Sequence, residues 1–228
     1  MKITVLTIFP EMFGDFLKEP VIARALSRNI VQIEITDIRE YAGGSFRHID
    51  DDPYGGGAGM VMRCGPVLDA LESVRTEGSY TAVMTPSGRK YTQKRAHEFA
   101  SLKHLILICG HYEGLDERIL DHADGVYTIG DYVLTGGELP AKVVMDSVIR
   151  LLPGVLRNEA TQEESFENGL LEHPQYTKPS DWKGERIPQV LLSGDHARIE
   201  AFRKQEALRI TRERRPDLLT QSDPDGEN

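Results

Sequence analysis

Short apolar runs of strand length recur along the chain at residues 3–9 (ITVLTIF), 31–38 (VQIEITDI), 80–85 (YTAVMT), 105–109 (LILIC) and 126–129 (VYTI). The segments between them, 21–27, 66–74, 93–100 and 116–122, space their apolar residues as helices do. Strands and helices that alternate in this way assemble as βαβ units, so the expected fold is an α/β domain around a mainly parallel sheet. In such open sheets ligands bind beyond the carboxyl ends of the strands. A further helix is expected over 138–152 (ELPAKVVMDSVIRLL), with Pro140 tolerated in its first turn and Pro153-Gly154 ending it.

From 157 to 184 the chain turns polar and proline-bearing with no sustained period, which reads as a linker. Beyond it, Asp195 can cap a long helix running through Arg214, with Ile199, Phe202, Glu206 and Ile210 along one side and Pro216 stopping it. The expected organisation is an α/β domain over 1–156, a linker over 157–184 and a small helical domain over 185–228, ending in a frayed acidic tail, SDPDGEN.

The formal net charge is -9, from 27 Lys+Arg against 36 Asp+Glu, so there is no general attraction to nucleic acid and any such site must be local. Cys64 and Cys109 lie far apart and show no metal-ligand spacing. No stretch approaches the roughly 20 apolar residues of a membrane helix, and the opening MKITVLTIFPEMF is too short an apolar run for a signal peptide. A cytoplasmic protein with no membrane partner is expected.

The densest glycine cluster is DDDPYGGGAGM at 50–60, where Gly55, Gly57 and Gly59 match GxGxG. A Rossmann cofactor loop of that pattern needs a strand before it and a helix after it. Phosphate-loop, GxSxG and HExxH patterns are absent, leaving phosphoryl transfer, serine hydrolysis and zinc hydrolysis without a motif. Three other glycine-bearing loops, 85–88, 109–114 and 129–138, follow expected strands. Each glycine alone could merely permit a tight turn. Together they point to one pocket for an organic ligand held by main-chain groups, with no metal ligands.

The strings FPEMF, DDDPYGGGAGMVM, CGHYEGLDER, IGDYVLTGGELPA, DSVIRLLPGVL, ESFENGLLEHPQYTKP, VLLSGDHARI and RRPDLL, in this order over almost the whole chain, resemble the bacterial tRNA (guanine-N1)-methyltransferases, the TrmD family of the SPOUT superfamily. The resemblance implies a SPOUT-type parallel sheet with a deep trefoil knot, a homodimer, and S-adenosylmethionine as methyl donor with S-adenosylhomocysteine as product. It carries the cofactor loops onto Thr85 and Pro86, onto Gly110, Tyr112 and Glu113, and onto Ile129, Gly130, Asp131, Tyr132, Val133 and Leu134 followed by Gly136 and Gly137. Main-chain groups there would recognise adenine and ribose, and Ile129 and Leu134 would flank the ring.

The acceptor implied is the guanosine at tRNA nucleotide 37, beside the anticodon. Guanine N1 carries a proton and is a poor nucleophile, so its methylation calls for a base and for a cation to meet charge developing on O6. The family's pattern puts these roles on Glu164 and Arg150. Relatives usually have Asp where this chain has Glu164, and many have Arg where it has His111. Away from the resemblance, Arg150 is an ordinary cation at a helix C-terminus, and Glu163-Glu164 an ordinary solvated pair. The last helix carries Arg198, Arg203, Lys204, Arg209, Arg212 and Arg214 with His196 at its start and Arg215 just beyond, against Glu200, Glu206 and Glu213. Its ordinary reading is a charged face with Glu/Arg pairing. With the resemblance, His196, Arg198, Arg203, Arg209, Arg214 and Arg215 are expected to contact tRNA phosphates.

In the family's arrangement one protomer holds the cofactor and the other supplies the residues matching Arg150 and Glu164. No DNA partner is expected, and Mg2+ is left open as an aid to charge on O6. The alternatives are a SPOUT enzyme acting on another RNA position, a Rossmann-type methyltransferase using the 55–59 glycines, and a non-catalytic tRNA-binding protein.

Overall fold

The computed structural model describes residues 1–43, 48–157, 161 and 163–220. The acidic tail at 222–228 and residues 158–160 and 162 of the expected linker lie outside the described residues. The chain divides into two compact units, Met1–Arg157 and Asn158–Asn228.

In the first unit, β1 (Lys2–Thr7), β2 (Gln32–Asp37), β5 (Tyr80–Lys90), β6 (His104–Cys109) and β7 (Gly125–Thr128) form one sheet in the order β2-β1-β6-β5-β7, and every pairing within it is parallel. The central strands β1 and β6 are buried on both faces, which is why they read as near-continuous apolar runs, whereas the edge strand β2 stays partly exposed and alternates. The pleat divides those residues between two cores. Ile3 and Val5 of β1 and Leu105, Leu107 and Cys109 of β6 face one side, together with Ile22 and Ala25 of α1 (Pro20–Ser27), Phe99 of α3 (Gln93–Ala100) and Val144 and Val148 of α4 (Glu138–Ile149). Leu6, Ile106 and Ile108 face the other side, with Val67, Ala70 and Leu71 of α2 (Cys64–Val74).

Two expected helices come out differently. Residues Glu117–His122 form a 3-10 helix, capped where the Asp116 side chain accepts from the Arg118 amide, because the stretch between the Leu115 bridge to Met62 and the next strand is too short for an α-helix of useful length. The helix expected to 152 ends as α4 at Ile149. Its last residues tighten into i→i-3 bonds, Leu151 to Val148 and Leu152 to Ile149, ahead of Pro153.

The glycine cluster joins two short antiparallel strands, β3 (Asp50–Asp51) and β4 (Val61–Met62), with Gly55, Gly56, Gly57 and Gly59 at φ of 89°, 79°, 138° and 81°. It is the turn of a hairpin and not a bridge from a sheet strand into a helix. The Rossmann alternative therefore loses the geometry it requires.

The second unit holds α5 (His196–Arg214), capped by Asp195 through the Arg198 amide, with Ile210 and Thr211 buried and Ile199, Phe202 and Glu206 half-buried along the same side. A two-stranded hairpin, β8 (Asp181–Trp182) with β9 (Glu185–Arg186), precedes it. The stretch expected to be a linker is partly folded into this unit. The Leu171 amide donates to Thr211 Oγ1 on α5 at 2.9 Å, and the Arg215 guanidinium lies 5.7 Å from the Phe166 ring centre. Side-chain contacts of this kind have no periodicity, so nothing in the local pattern of 163–184 announced them.

Candidate active site

Three loops converge at the carboxyl ends of the central strands. The first is an interruption in β5: Met84 pairs with Tyr127, the pairing resumes at Arg89, and residues 85–88 loop out between. Gly88 makes this possible, since a Cβ there would lie 2.5 Å from the Tyr127 Cα. The second loop leaves β6 at Gly110. Its Tyr112 adopts the left-handed region at φ 59°, a position uncommon for a residue with a side chain. The third leaves β7 and returns to α4 through Gly136 and Gly137, where the Gly137 amide donates to the Gly110 carbonyl at 2.7 Å.

Between them lies a cavity of about 200 Å³. Of the residues expected to hold the cofactor, Thr85, Pro86, Gly110, Tyr112, Glu113, Ile129, Tyr132, Val133, Leu134, Gly136 and Gly137 line it, while Gly130 and Asp131 do not. The Asp131 carboxylate pairs with Lys90 at 3.0 Å and is well exposed, and Gly130 packs beneath the Tyr132 ring. Several amides of these loops are spent internally: Gly130 on Thr128 Oγ1, Tyr132 on the Gly130 carbonyl and Gly114 on the His111 carbonyl. Met84, His111, Leu115, Tyr127, Thr128, Thr135 and Pro140 also line the cavity. Tyr127 and Thr128 are the end of β7, and strand ends at a sheet's carboxyl edge were the available signal for them.

The lining mixes apolar side chains with the hydroxyl groups of Thr85, Thr128 and Thr135 and of Tyr112, Tyr127 and Tyr132, and it holds one acid. Pro86, Ile129, Leu134 and Pro140 supply flat apolar surface, and Glu113 is the only carboxylate among the lining residues. Such a lining suits a flat heteroaromatic ring at one end and a cationic group at the other. His111 lies between the Phe9 and Tyr112 rings, with centroids 4.8 and 5.3 Å away, and its Nδ1 is buried without a hydrogen-bond partner among the described residues. Burial first and then the Asp50 carboxylate raise the Tyr112 hydroxyl's pKa. Behind the lining, Glu138 is 1% exposed and accepts from Thr7 Oγ1 at 2.8 Å, which ties the start of α4 to β1. Burial, helped by Glu138, pushes the Cys109 thiol well above its usual range, so it acts as core packing. A larger open groove of about 760 Å³ lies at the amino ends of β1 and β2, but it carries none of the three loops.

A family model described as tRNA (Guanine-1)-methyltransferase TrmD matches residues 1–221. This chain belongs to the TrmD family. Relatives named tRNA (guanine-N(1)-)-methyltransferase include those of Listeria welshimeri, 52% identical over 226 residues, and Geobacillus kaustophilus, 51% over 223. The relative from Bacillus subtilis is 50% identical over 224 residues. These alignments cover 96% of this chain and 92%, 91% and 92% of the respective relatives.

Within the first unit, Arg150 is not among the residues that line the cavity. Arg150 is the C-cap of α4, and a helix of 12 residues puts it about 18 Å from the end that lines the cavity. Near it, burial and the Glu19 carboxylate raise the Asp146 pKa, and Arg150 pulls it back. Glu164 is half-buried in the second unit, where its carbonyl accepts from the Glu167 amide at 3.3 Å. On α5 the cations divide. Arg209 is gripped by Glu206 and Glu213, Lys204 by Glu200, and Arg215 by Asp217. Arg198, Arg203 and Arg214 are exposed and have no ion pair among the described residues, and His196 is likewise exposed. Among the described residues no cluster of three or more metal-ligating side chains occurs, and no helix is long and apolar enough to cross a membrane.

Proposed function

We propose that this chain transfers a methyl group from S-adenosylmethionine to N1 of the guanosine at nucleotide 37 of tRNA, leaving S-adenosylhomocysteine. The observation that carries this reading is the cavity at the carboxyl ends of β5, β6 and β7, which mixes apolar and hydroxyl-bearing side chains with one carboxylate, in a chain of the TrmD family. Ile129, Leu134 and Pro86 would bracket the adenine, and Glu113 would meet the ammonium of the methionine tail. When bound, the sulfonium supplies an electrophilic methyl group, so no nucleophilic side chain is needed.

The chain's own part is to position the two substrates and to move one proton. The Glu164 carboxylate takes the proton from guanine N1 while the Arg150 guanidinium meets the charge gathering on O6. Glutamate, with an ordinary pKa near 4.3 against about 3.9 for aspartate, is no weaker a base than the aspartate usual at this place. Two features favour a homodimer in which Arg150 and Glu164 serve the partner's cavity. The length of α4 keeps Arg150 away from the cavity of its own protomer, and α4 leaves Leu139 and Val143, one turn apart, exposed. A trefoil knot fits the close passage of the third loop beside the second, where a Gly137 Cβ would lie 2.7 Å from the Cys109 Cα. Arg198, Arg203 and Arg214, with His196, would hold the anticodon arm by its phosphates, in a cytoplasmic protein. The guanosine leaves its stack to reach the methyl donor.

The test is transfer of labelled methyl from S-adenosylmethionine to a tRNA transcript with guanosine at nucleotide 37, beside one with adenosine there, by wild type and by Glu164→Ala. Transfer to guanosine alone, lost in the variant, is the expected outcome. Undiminished transfer by the variant would move the base elsewhere, and no transfer by wild type would leave a tRNA-binding protein without the chemistry.

A further inference from the structure

The glycine-rich hairpin lines no part of the cavity, yet it is fastened to the loop that does. The Glu113 amide donates to the Met60 carbonyl at 3.0 Å, the Met62 amide to the Gly114 carbonyl at 2.9 Å, and the Asp116 amide to the Met62 carbonyl at 3.0 Å. Met62 is fully buried and forms an isolated parallel bridge with Leu115. The carboxylate of Glu113 rests directly on Gly59: a Cβ at that position would lie 2.6 Å from Oε1 and 2.8 Å from Cδ. Gly56, three residues earlier, has almost the same φ, 79° against 81°, and a Cβ there would meet nothing within 4 Å. The two glycines share one conformational requirement and differ in what they touch.

Extending the assignment of S-adenosylmethionine to this cavity, on which it rests, we propose that Gly59 is a positioning residue whose bare α-carbon sets the place of the Glu113 carboxylate, so that the hairpin tunes how tightly the cofactor's amino-acid tail is held. A carboxylate can meet an ammonium well only if its own rotamer is held. Glu113 has long side-chain freedom to lose, and Gly59 restricts it from one side, while the Met60 carbonyl fixes its backbone. A methyl group on Gly59 would have to displace either the carboxylate or the hairpin backbone. The carboxylate is the softer of the two, because the hairpin is pinned by three backbone hydrogen bonds and by buried Met62.

The experiment compares wild type, Gly56→Ala, Gly59→Ala, Glu113→Asp and Gly59→Ala/Glu113→Asp by isothermal titration with S-adenosylhomocysteine and with 5′-methylthioadenosine, which lacks the tail. Gly59→Ala is expected to weaken S-adenosylhomocysteine about tenfold or more, the scale of one displaced charge-assisted hydrogen bond. Binding of 5′-methylthioadenosine should stay within about twofold of wild type, because only the tail meets Glu113. Gly56→Ala, with the same backbone strain, should change neither. Shortening the acid makes room for the new methyl, so the double variant should bind S-adenosylhomocysteine at least as well as Glu113→Asp alone.

Equal loss for both ligands in Gly59→Ala, or equal losses in Gly56→Ala and Gly59→Ala, would overturn the proposal. So would a wild type that binds both ligands equally, because the tail would then contribute nothing. If Gly59→Ala does not fold, the double variant is expected to fold, and its failure beside a folded Gly56→Ala would also refute the contact. A wild type that binds neither ligand would instead refute the assignment of the cofactor to this cavity.

Discussion

Replacing Gly137 by alanine tests a close passage of backbone against backbone beside the cavity. Gly137 sits at φ -81° and ψ -6°, a backbone any residue can adopt, so the penalty is steric alone. A Cβ there would lie 2.7 Å from the Cys109 Cα, 2.9 Å from the Gly110 nitrogen and 3.2 Å from the Cys109 carbonyl carbon. All three are backbone atoms at the junction of β6 and the second loop, so no side chain can swing aside. Overpacking of this kind costs about 1–3 kcal/mol. Stretching the 2.7 Å bond from the Gly137 amide to the Gly110 carbonyl adds about 0.5–1.5 kcal/mol. The stiffer unfolded chain returns about 0.4–1 kcal/mol. The net loss of about 0.5–4 kcal/mol, about 2 kcal/mol at mid-range, corresponds to a mid-range fall in Tm of roughly 4–8 °C for a unit of this size. Scanning calorimetry reads it directly. Gly43→Ala is the comparison, since a Cβ there meets nothing within 4 Å and should leave Tm nearly unchanged. Because the strain falls on the wall of the cavity, affinity for S-adenosylhomocysteine should drop as well. A Tm for Gly137→Ala within about 1 °C of wild type would show that the two loops are not held against each other, and the steric reasoning would fail.

Other perturbations follow from the same geometry. His104 is 4% exposed and bonded at Nε2 to Thr4 and at Nδ1 to Thr76; burial first and then Lys2 lower its pKa in the folded state. Its contribution to stability is therefore complete above the unfolded-chain value of about 6.5 and is lost as the pH falls below it, at no more than about 1.4 kcal/mol per pH unit. The drop in Tm between pH 7.5 and 5.5 should be larger for wild type than for His104→Gln, and equal drops would contradict the assignment. On α5, Arg198→Ala and Arg203→Ala should each weaken tRNA binding and lower the salt slope by about 1, while Arg209→Ala, already held by two carboxylates, should change the slope less. Filter binding from low to high salt reads both, and identical slopes for all three variants would argue against phosphate contacts by the unpaired arginines.

The strands and four of the sheet-packing helices were legible because burial on one or both faces writes a period into the sequence. The cavity-lining loops at the strand ends were legible for a different reason: Gly88, Gly110, Gly136 and Gly137 are small because neighbouring atoms pass close by, and glycines at strand ends betray such places. What failed to show was any partnership between positions distant in sequence. Asp131 belongs to a cofactor-loop string, yet its carboxylate turns to Lys90, 41 residues away. The GxGxG string carries the look of a nucleotide loop, while its strands β3 and β4 pair with each other as a hairpin. Arg209 and Arg203 look alike along α5, but Glu206 and Glu213 stand one turn to either side of Arg209 and neutralise it.

By itself the sequence determined the kind of domain, the order of strands and helices, the family, and which loops line the cavity. All of these depend on local spacing or on strings of adjacent residues. Only the tertiary structure decided that the strands stand in the order β2-β1-β6-β5-β7, that Gly59 lies against Glu113, and that Asp131 turns to Lys90. Those are distances between elements, set by how two apolar cores close over the faces of one sheet. No local period can encode them.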